Sequence, residues 1–511
     1  MHPIALPTLK TDSQLAFQTE ESARQWLASQ PQTQPLLMLA ALKEQIDAID
    51  SANLPPKTSL NLLDALRKAA VPQQSTNEAR YTRKALPMQA EDQRCFEVAY
   101  RLWADLAIAY LRLADQLPPD LMALALNRTA SSLRLAQYCH FLAACECPQL
   151  LDELLFVTLT KSIENQSLLT PLADPDYPHL GDSTAAGHIS WALLLRLIDP
   201  YRLSATQLTV ANRGISRWRE LAIFQPNADD AAKGLTIDLT QAFPAASQAT
   251  GTRFWLNVRS VSRKIRNRID ALNAGESPDS LKLGRELSPG ATLRLLNLLQ
   301  TSLQRHKPRT STEVGEIELC FGAENAYAVF KEALLNPHGA MDEKAATLAH
   351  QRMAMFGFDR LSQMPSAVKK LNVPSESWNM VDGKALRHPS EDSTRRISPC
   401  LIATKTGTQA RLGLMSGLLM TASGTLSAEL MWFDEEIEAG WLKQQGALEQ
   451  IKPKQAVFLL SRGSSLSLIV PVNSNVRPDT KIMLEGISCH QLIVGQALER
   501  GTDFVRYACS N

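Results

Sequence analysis

Paired arginines are the residues of this sequence whose type and spacing best suit a chemical role. Two arginines four positions apart occur three times, as Arg305/Arg309, Arg213/Arg217 and Arg259/Arg263. Each guanidinium presents a planar fork of donors that matches two phosphate oxygens, so such a pair suits a phosphate ligand. Arg305 and Arg309 stand between a helical region and the first strand, where a flexible pair at a barrel mouth could also stack on a nucleobase. The other two pairs fall inside predicted helices, and for them a solvated helix face is the simpler interpretation.

Catalytic and metal-binding patterns are missing from the sequence. It contains no G-x-S-x-G, H-E-x-x-H, Walker A or G-x-G-x-x-G motif, and its nine histidines have no partner at catalytic spacing. We therefore expect a protein that is not an enzyme and needs no cofactor. Cys139, Cys145 and Cys147 cluster in a helical run, but structural zinc sites use two closely spaced pairs on turns. Buried free thiols are the favoured interpretation, and no metal is expected.

Length and composition limit the class of protein. A chain of 511 residues allows two to four domains, and a formal net charge of +1 gives no general attraction to a nucleic acid polymer. The sequence has no apolar leader segment and no window of about 18 uncharged apolar residues. Eight cysteines without a pairing pattern are typical of reduced thiols. These features predict a cytoplasmic protein without a membrane span.

The first 300 or so residues repeat their apolar positions at helical spacing. A helix is expected from the Pro118-Pro119-Asp120 turn to about Ala144, and Thr58 is a possible cap of an earlier helix. Residues Val71–Gln89 are expected to form a linker or loop. The other predicted helices are Glu20–Ser29, Gln34–Ile49, Thr58–Ala69, Glu91–Ala114, Pro148–Glu164, Thr184–Ile198, Ser204–Phe224, Thr252–Asn273 and Ser288–Arg305, with a short strand or linker at Leu235–Leu239.

From about Glu313 the pattern changes to short apolar runs separated by turn residues, which is typical of strands. Glu316–Phe321 is the first strand, two helices follow at Ala323–Leu335 and Asp342–Phe356, and Pro365–Ser398 is expected to be irregular. Seven more strands are predicted at Arg411–Met420, Thr425–Phe433, Ala456–Ser461, Leu466–Pro471, Thr480–Glu485, Gln491–Ala497 and Asp503–Cys509.

The predicted architecture is an α+β multidomain protein, in which a large all-α N-terminal region precedes a C-terminal antiparallel β-barrel. Its expected domains are residues 1–75, 90–310 and 311–511, and the strands leave open whether one barrel or two form. Trp378, Trp432 and Trp441 are expected in the barrel core, and the acidic run Asp434–Glu438 in an exposed hairpin turn. The basic helix that carries Arg259, Arg263 and Arg266 is expected to dock on the surface, with an anion or partner surface as the alternative.

The order of features resembles a group of large bacterial proteins with a helical N-terminal region and a C-terminal PilZ-like domain, an atypical cyclic di-GMP receptor domain. The resemblance covers roughly residues 250–511. The stretches that carry it are Phe254–Val258, Ala271–Pro278, Leu281–Gly284, Glu316–Gly322, Ser377–Asp382, Arg411–Met415 and Thr502–Phe504.

The resemblance implies a barrel whose mouth holds an arginine pair and a D/N-x-S-x-x-G strand motif around cyclic di-GMP. Ser377–Gly383 lacks the serine of that motif, so the site would be degenerate. Arg305 and Arg309 have the spacing of the arginine pair. Arg387, Arg395 and Arg396 are predicted to substitute as phosphate ligands, with a solvated loop as the alternative interpretation. The expected function is cyclic di-GMP-responsive signalling through an unknown protein partner. The alternative is a ligand-free helical and β-barrel scaffold for protein–protein interactions.

Overall fold

The chain divides into two units, the first mainly helical and the second mainly built from strands. The computed structural model describes residues 6–7, 14–226, 235–244, 246, 251, 253–304, 314–336, 373–388, 394–407, 409–443 and 453–510. The first unit comprises Met1–Arg309 with two later segments, His388–Ile397 and Leu419–Leu426. The second unit comprises Thr310–Arg387, Ser398–Leu418 and Ser427–Asn511. The helical region followed by antiparallel sheets confirms the predicted α+β class.

The first unit is built from helices. In chain order they are α1 (Glu20–Ser29), α2 (Pro35–Ser51), α3 (Pro56–Tyr81), α4 (Ala90–Ala114), α5 (Pro119–Ala143), α6 (Gln149–Glu164), α7 (Ala185–Leu197), α8 (Ala205–Trp218), the short α9 (Leu239–Ala242), α10 (Arg259–Asn273) and α11 (Pro289–Gln304). Short 3-10 turns lie at Pro178–Leu180, Pro200–Arg202 and Arg219–Leu221. None of the described helices combines the length and apolarity that a membrane crossing requires.

Helix α5 forms the centre of this unit. Every residue from Ala125 to Ala143 is buried, and the helix packs against α3, α4, α6 and α7. Proline at the first helical position starts α5, as it starts α2 and α3, because its missing N–H has no intrahelical partner there. The buried stretch of α5 includes polar side chains such as Arg128 and Arg134, so this core contains charge as well as apolar area.

Several predicted helix boundaries are wrong. Helix α3 continues through Pro72 to Tyr81, so the first part of the predicted loop Val71–Gln89 is helical. Buried Gln74, Asn77 and Tyr81 recur at helical spacing there, and the Asn77 amide donates to the Cys95 carbonyl at 2.8 Å. These polar but buried positions carry no apolar signal in the sequence.

The predicted cap at Thr58 is also wrong, because Pro55 occupies the N-cap position of α3. Helix α8 ends at Trp218, and α10 starts only at Arg259. The residues just outside these two helices form strands instead. Strands β1 (Ile223–Gln225), β2 (Thr236–Asp238) and β3 (Trp255–Asn257) make a three-stranded antiparallel sheet with β3 in the middle.

The strands of the second unit close into two antiparallel barrels. The first barrel has the order β4-β5-β6-β9-β8-β7 and the second the order β10-β11-β12-β15-β14-β13, which answers the open question of one barrel or two. Their bounds are β4 Gly315–Phe321, β5 Glu376–Val381, β6 Lys384–Arg387, β7 Cys400–Thr406, β8 Gln409–Met420, β9 Leu426–Trp432, β10 Glu436–Leu442, β11 Ala456–Arg462, β12 Ser465–Pro471, β13 Lys481–Glu485, β14 Gln491–Arg500 and β15 Phe504–Ser510. Helix α12 (Ala323–Lys331) follows β4.

Strand β11 is buried on both faces. Ala456, Phe458 and Leu460 join a cluster that includes β7 and β8 side chains, whereas Val457 and Leu459 join a second cluster within their own barrel. Alternate residues of a strand point to opposite faces, which explains this division. A run buried on both faces reads as continuously apolar, and its strand was predicted for that reason.

The strand predictions are confirmed where the apolar runs are clear, and wrong where polar residues interrupt them. All seven later strands are present, but Pro365–Ser398 contains β5 and β6, and β7 and β10 were not predicted. Strand β10 begins within the acidic run that was expected to be a turn. Trp378 is fully buried, while Trp432 and Trp441 are only half-buried. The predicted helix Asp342–Phe356 lies outside the described residues.

Candidate functional site

Of the five arginines predicted as ligands, the structure describes Arg387, Arg395 and Arg396. Arg305 and Arg309 lie outside the described residues. Arg387, in the second unit, is buried, pairs with Glu376 and stacks on the Trp378 ring with its guanidinium carbon 4.8 Å from the ring centroid. Its observed contacts are those of a core side chain.

Arg395 and Arg396 belong to the first unit. Arg395 is exposed, and Arg396 is half-buried with its backbone paired to Leu86 in both directions, at 2.7 and 2.9 Å. The pairing fixes this backbone segment beside Leu86. The role of all five arginines in ligand binding stays a prediction.

A second pair of predicted arginines, Arg213 and Arg217, lines a surface cleft of about 670 Å³. We call it the basic cleft, and its walls are formed by Arg213, Arg217, Asp279, Lys282, Gly284, Arg285 and Glu286. Four cations and two carboxylates leave an excess of two positive charges. An anionic ligand is therefore the chemical class that this cleft suits.

Helix α8 presents the two arginines. Its N-terminus is closed by a capping box in which Ser204 and Gln207 each satisfy a backbone N–H of the other. The opposite face carries buried Leu208, Ala211 and Ile215, so this amphipathic helix is fixed by its apolar side. Arg213 and Arg217, one turn apart, remain accessible on the other side, as expected for a solvated helix face.

The loop between α10 and α11 supplies the other wall. Leu281 and Leu283 are buried and anchor the loop, while Lys282 between them is exposed and adopts a left-handed backbone with φ +61°. Gly284 also has positive φ, +93°. A β-carbon at Gly284 would lie 1.7 Å from the Arg213 Nη1 atom, so a larger residue would displace the Arg213 side chain from its present position.

Two of the cleft cations are neutralised by carboxylates. Arg213 donates from Nη1 to the Glu286 Oε2 at 2.8 Å and from Nη2 to Oε1 at 2.5 Å, and Nη1 also donates to the Leu283 carbonyl at 2.8 Å. Arg285 pairs with Asp279 at 2.7 Å. The hydrogen bond from Arg213 lowers the pKa of Glu286 to about 2, so this carboxylate is charged at neutral pH.

The other two cations are free. In the described part of the chain the side chains of Arg217 and Lys282 have neither a hydrogen bond nor an ion pair. They line the same cleft from opposite walls, one on α8 and one on the loop. Their charges supply the excess of positive charge that a bound anion would neutralise.

A separate buried network of charges holds the loop after α6 to the helices. Asp174 accepts hydrogen bonds from Arg67 at 2.6 and 3.0 Å and forms an ion pair with Arg128 at 2.9 Å, and Arg67 also binds Asp176 at 2.6 Å. Burial favours a raised pKa for Asp174, but the Arg67 hydrogen bonds and the charges of Arg67 and Arg128 lower it on balance. The network joins Asp174 and Asp176 to Arg67 and Arg128 on the helices, although Arg67 Nε and Arg128 Nε and Nη1 are buried without a hydrogen-bond partner among the described residues.

The clustered cysteines are structural thiols. Cys139, Cys145 and Cys147 are free and buried, and burial raises the pKa of Cys145 to about 12. Among the described residues, no group of three or more His, Cys, Asp or Glu is arranged to hold a metal ion. The predicted interpretation as buried free thiols is confirmed.

Neither wall of the cleft was predicted as a ligand site from the sequence, where a solvated helix face was the favoured interpretation of Arg213 and Arg217. The spacing of Arg213 and Arg217 is visible in the sequence, but nothing local connects them with Lys282 or Glu286 some 70 residues later. The only sequence feature that could have indicated the second wall is the stretch Leu281–Gly284, in which a single charged residue lies between two leucines and a glycine follows.

Comparison with known proteins connects this region to a signalling family. Residues 21–229 match the family model described as the N-terminal domain of the cyclic-di-GMP receptor FimW. The match lies in the helical region and includes Arg213 and Arg217, whereas the resemblance seen in the sequence began near residue 250. No curated protein and no solved structure matches this chain.

Proposed function

We propose that this protein is a cyclic di-GMP receptor that binds the nucleotide in the basic cleft and acts as a signalling regulator without catalysis. The observation that carries the proposal is a cleft with two unneutralised cations, one of them inside the region that matches the receptor family. Cyclic di-GMP has two phosphodiesters and hence two negative charges, which equals the positive excess of the cleft.

The chemistry of the cleft supports the same ligand. The cleft is shallow and open to solvent, so a ligand as large as a cyclic dinucleotide can reach its cations. Arginine guanidinium groups bind phosphate oxygens in pairs, and they also bind the O6 and N7 acceptors of guanine. Arg217 is accessible for the first kind of contact without the loss of any existing partner.

The arginines predicted from the sequence are the alternative location for the nucleotide, and variants that lack them give a direct comparison with the cleft. Arg395 and Arg396 are adjacent cations of the first unit, and Arg305 and Arg309 precede the first barrel in the sequence. The PilZ-like character of the barrels and a protein partner that responds to the bound state are further parts of this proposal.

The test is a calorimetric titration of the full chain with cyclic di-GMP, with GMP as the ligand control. Three double variants each remove two positive charges: Arg217→Ala/Lys282→Ala, Arg395→Ala/Arg396→Ala and Arg305→Ala/Arg309→Ala. Each lost charge-assisted contact is worth about 1.5–3 kcal/mol, so the cleft variant should bind more than about tenfold more weakly. The other two variants should bind like the wild type.

Three results would contradict the proposal in different ways. Wild-type affinity of the cleft variant would exclude the cleft, and loss of binding in either of the other variants would move the site to those arginines. No saturable binding by a folded wild-type chain would contradict the receptor function itself and favour the ligand-free scaffold.

A further inference from the structure

We infer that Glu286 is a resident anion of the basic cleft, which occupies Arg213 and competes with the ligand's phosphate for it. This inference rests on the proposed function, because it describes how the same cleft is regulated. It assigns to one acidic residue the role of lowering the affinity of a site that is otherwise built for anions.

The contact between Glu286 and Arg213 has the geometry of a phosphate complex. Both carboxylate oxygens accept from the two terminal nitrogens of one guanidinium, at 2.5 and 2.8 Å. A phosphodiester presents two oxygens to arginine in the same forked arrangement. The two anions therefore cannot both use this face of Arg213.

The backbone of the loop is shaped for this pair. Arg213 also donates to the Leu283 carbonyl, which fixes its guanidinium against the loop. A β-carbon on Gly284 would lie 2.1 Å from the Glu286 Oε2 atom and 1.7 Å from the Arg213 Nη1 atom. The absence of a side chain at Gly284 thus opens the space in which the two charged groups meet.

The neighbouring cations show what an incoming anion meets first. Within the described residues Arg217 and Lys282 have no side-chain partner to give up, whereas Arg213 becomes available only when Glu286 leaves it. The Arg213 and Glu286 side chains are 32% and 39% exposed, so water can replace the lost contacts and the exchange costs little. Binding would then exchange one contact between α8 and the loop, the Arg213–Glu286 ion pair, for a contact to the ligand, while the hydrogen bond from Arg213 to the Leu283 carbonyl can remain.

The experiment compares Glu286→Gln with Asp279→Asn, a matched control that removes one negative charge from the same cleft without freeing Arg213. Both variants and the wild type are titrated calorimetrically with cyclic di-GMP and, separately, with pyrophosphate. Glu286→Gln should tighten binding about three- to tenfold, since the charge it removes is close to the ligand and partly screened. Asp279→Asn should give a smaller gain.

A double-variant cycle separates competition for Arg213 from a general effect of charge. In an Arg213→Ala background, Glu286→Gln should gain no more than Asp279→Asn does, because the contested guanidinium is gone. An undiminished gain in that background, or an affinity for Glu286→Gln that equals or falls below the wild-type value, would overturn the inference.

Pyrophosphate distinguishes failure of this inference from failure of the proposed function. If the wild type does not bind cyclic di-GMP but Glu286→Gln tightens pyrophosphate binding in an Arg213-dependent manner, the resident-anion role stands and the receptor proposal is wrong. If no variant binds pyrophosphate or cyclic di-GMP, or if binding occurs without a gain from Glu286→Gln, the resident-anion role is wrong.

Discussion

Replacing Asp174 by Asn should destabilise the helical unit more than any exposed charge change in it. The Asp174 side chain is 1% exposed, accepts hydrogen bonds from buried Arg67 and forms an ion pair with buried Arg128. Asparagine keeps the shape but removes the negative charge and turns two N–H groups towards those cations. The variant therefore leaves positive charge in the core without its main counter-ion.

The loss of stability in Asp174→Asn depends on the ion pairs that Arg67 and Arg128 keep. Removing one member of a buried ion pair costs about 3–5 kcal/mol. Arg67 keeps Asp176 at 2.6 Å and Arg128 keeps Asp64 at 3.4 Å, so the compensation is partial and the lower end of that range, about 3 kcal/mol, is expected. Asp279→Asn breaks a solvent-exposed pair with Arg285 and should cost about 0–1 kcal/mol.

The assay is urea unfolding followed by the helical circular dichroism signal, with the transition of the helical unit fitted separately. The pKa of Asp174 is lowered in the folded state, so its contribution is present above its unfolded-state pKa and disappears as the pH falls through the folded value. The wild type and Asp174→Asn should therefore differ at neutral pH and converge in acid. Equal midpoints at neutral pH, or a difference no larger than that of Asp279→Asn, would refute the reasoning.

Two further predictions concern one titrating carboxyl and one core side chain. Burial raises the pKa of half-buried Glu78 from 4.5 to about 7, so the stability of the fold falls as the pH rises between these two values. Replacing Glu78 by Gln should therefore stabilise the protein by about 1–3 kcal/mol at about pH 8 but little at about pH 5. Urea unfolding midpoints that shift equally at both pH values would contradict this. Replacing Phe458, which is fully buried in the cluster that includes β7 and β8 side chains, by Ala should lower the free energy of unfolding of the barrel by about 3–5 kcal/mol, whereas replacing exposed Ile493 by Ala should change it by less than about 0.5 kcal/mol. A Phe458→Ala midpoint close to that of Ile493→Ala would show that the site is less tightly packed than described.

Most of the helices and strands that were predicted correctly have a clear local pattern of apolar residues. Helix α4 has a continuous apolar stripe, and β11 and β12 are apolar runs between turn residues, so periodicity alone located them. Strand β5 alternates exposed Asn379 with buried Trp378 and Met380, but it lies in a polar region and was expected to be irregular. Strand β10 was hidden in the same way by its acidic residues.

The candidate site and the buried network depend on distant parts of the chain. Arg67 and Asp174 are separated by 107 positions, and Arg213 and Glu286 by 73. Each partner alone looks like an ordinary surface charge in the sequence, because only the packed fold brings the opposite charges together. The sequence shows the spacing of Arg213 and Arg217, but it does not show the cleft, because the opposite wall comes from a distant loop.

The most direct test of the central claim is amide hydrogen exchange of the full chain with and without cyclic di-GMP. We predict that the ligand changes exchange in the segment 279–286 and in the α8 segment around Arg213 and Arg217. Protection confined to the segments that contain Arg305 and Arg309, or Arg395 and Arg396, would contradict the assignment of the nucleotide to the basic cleft.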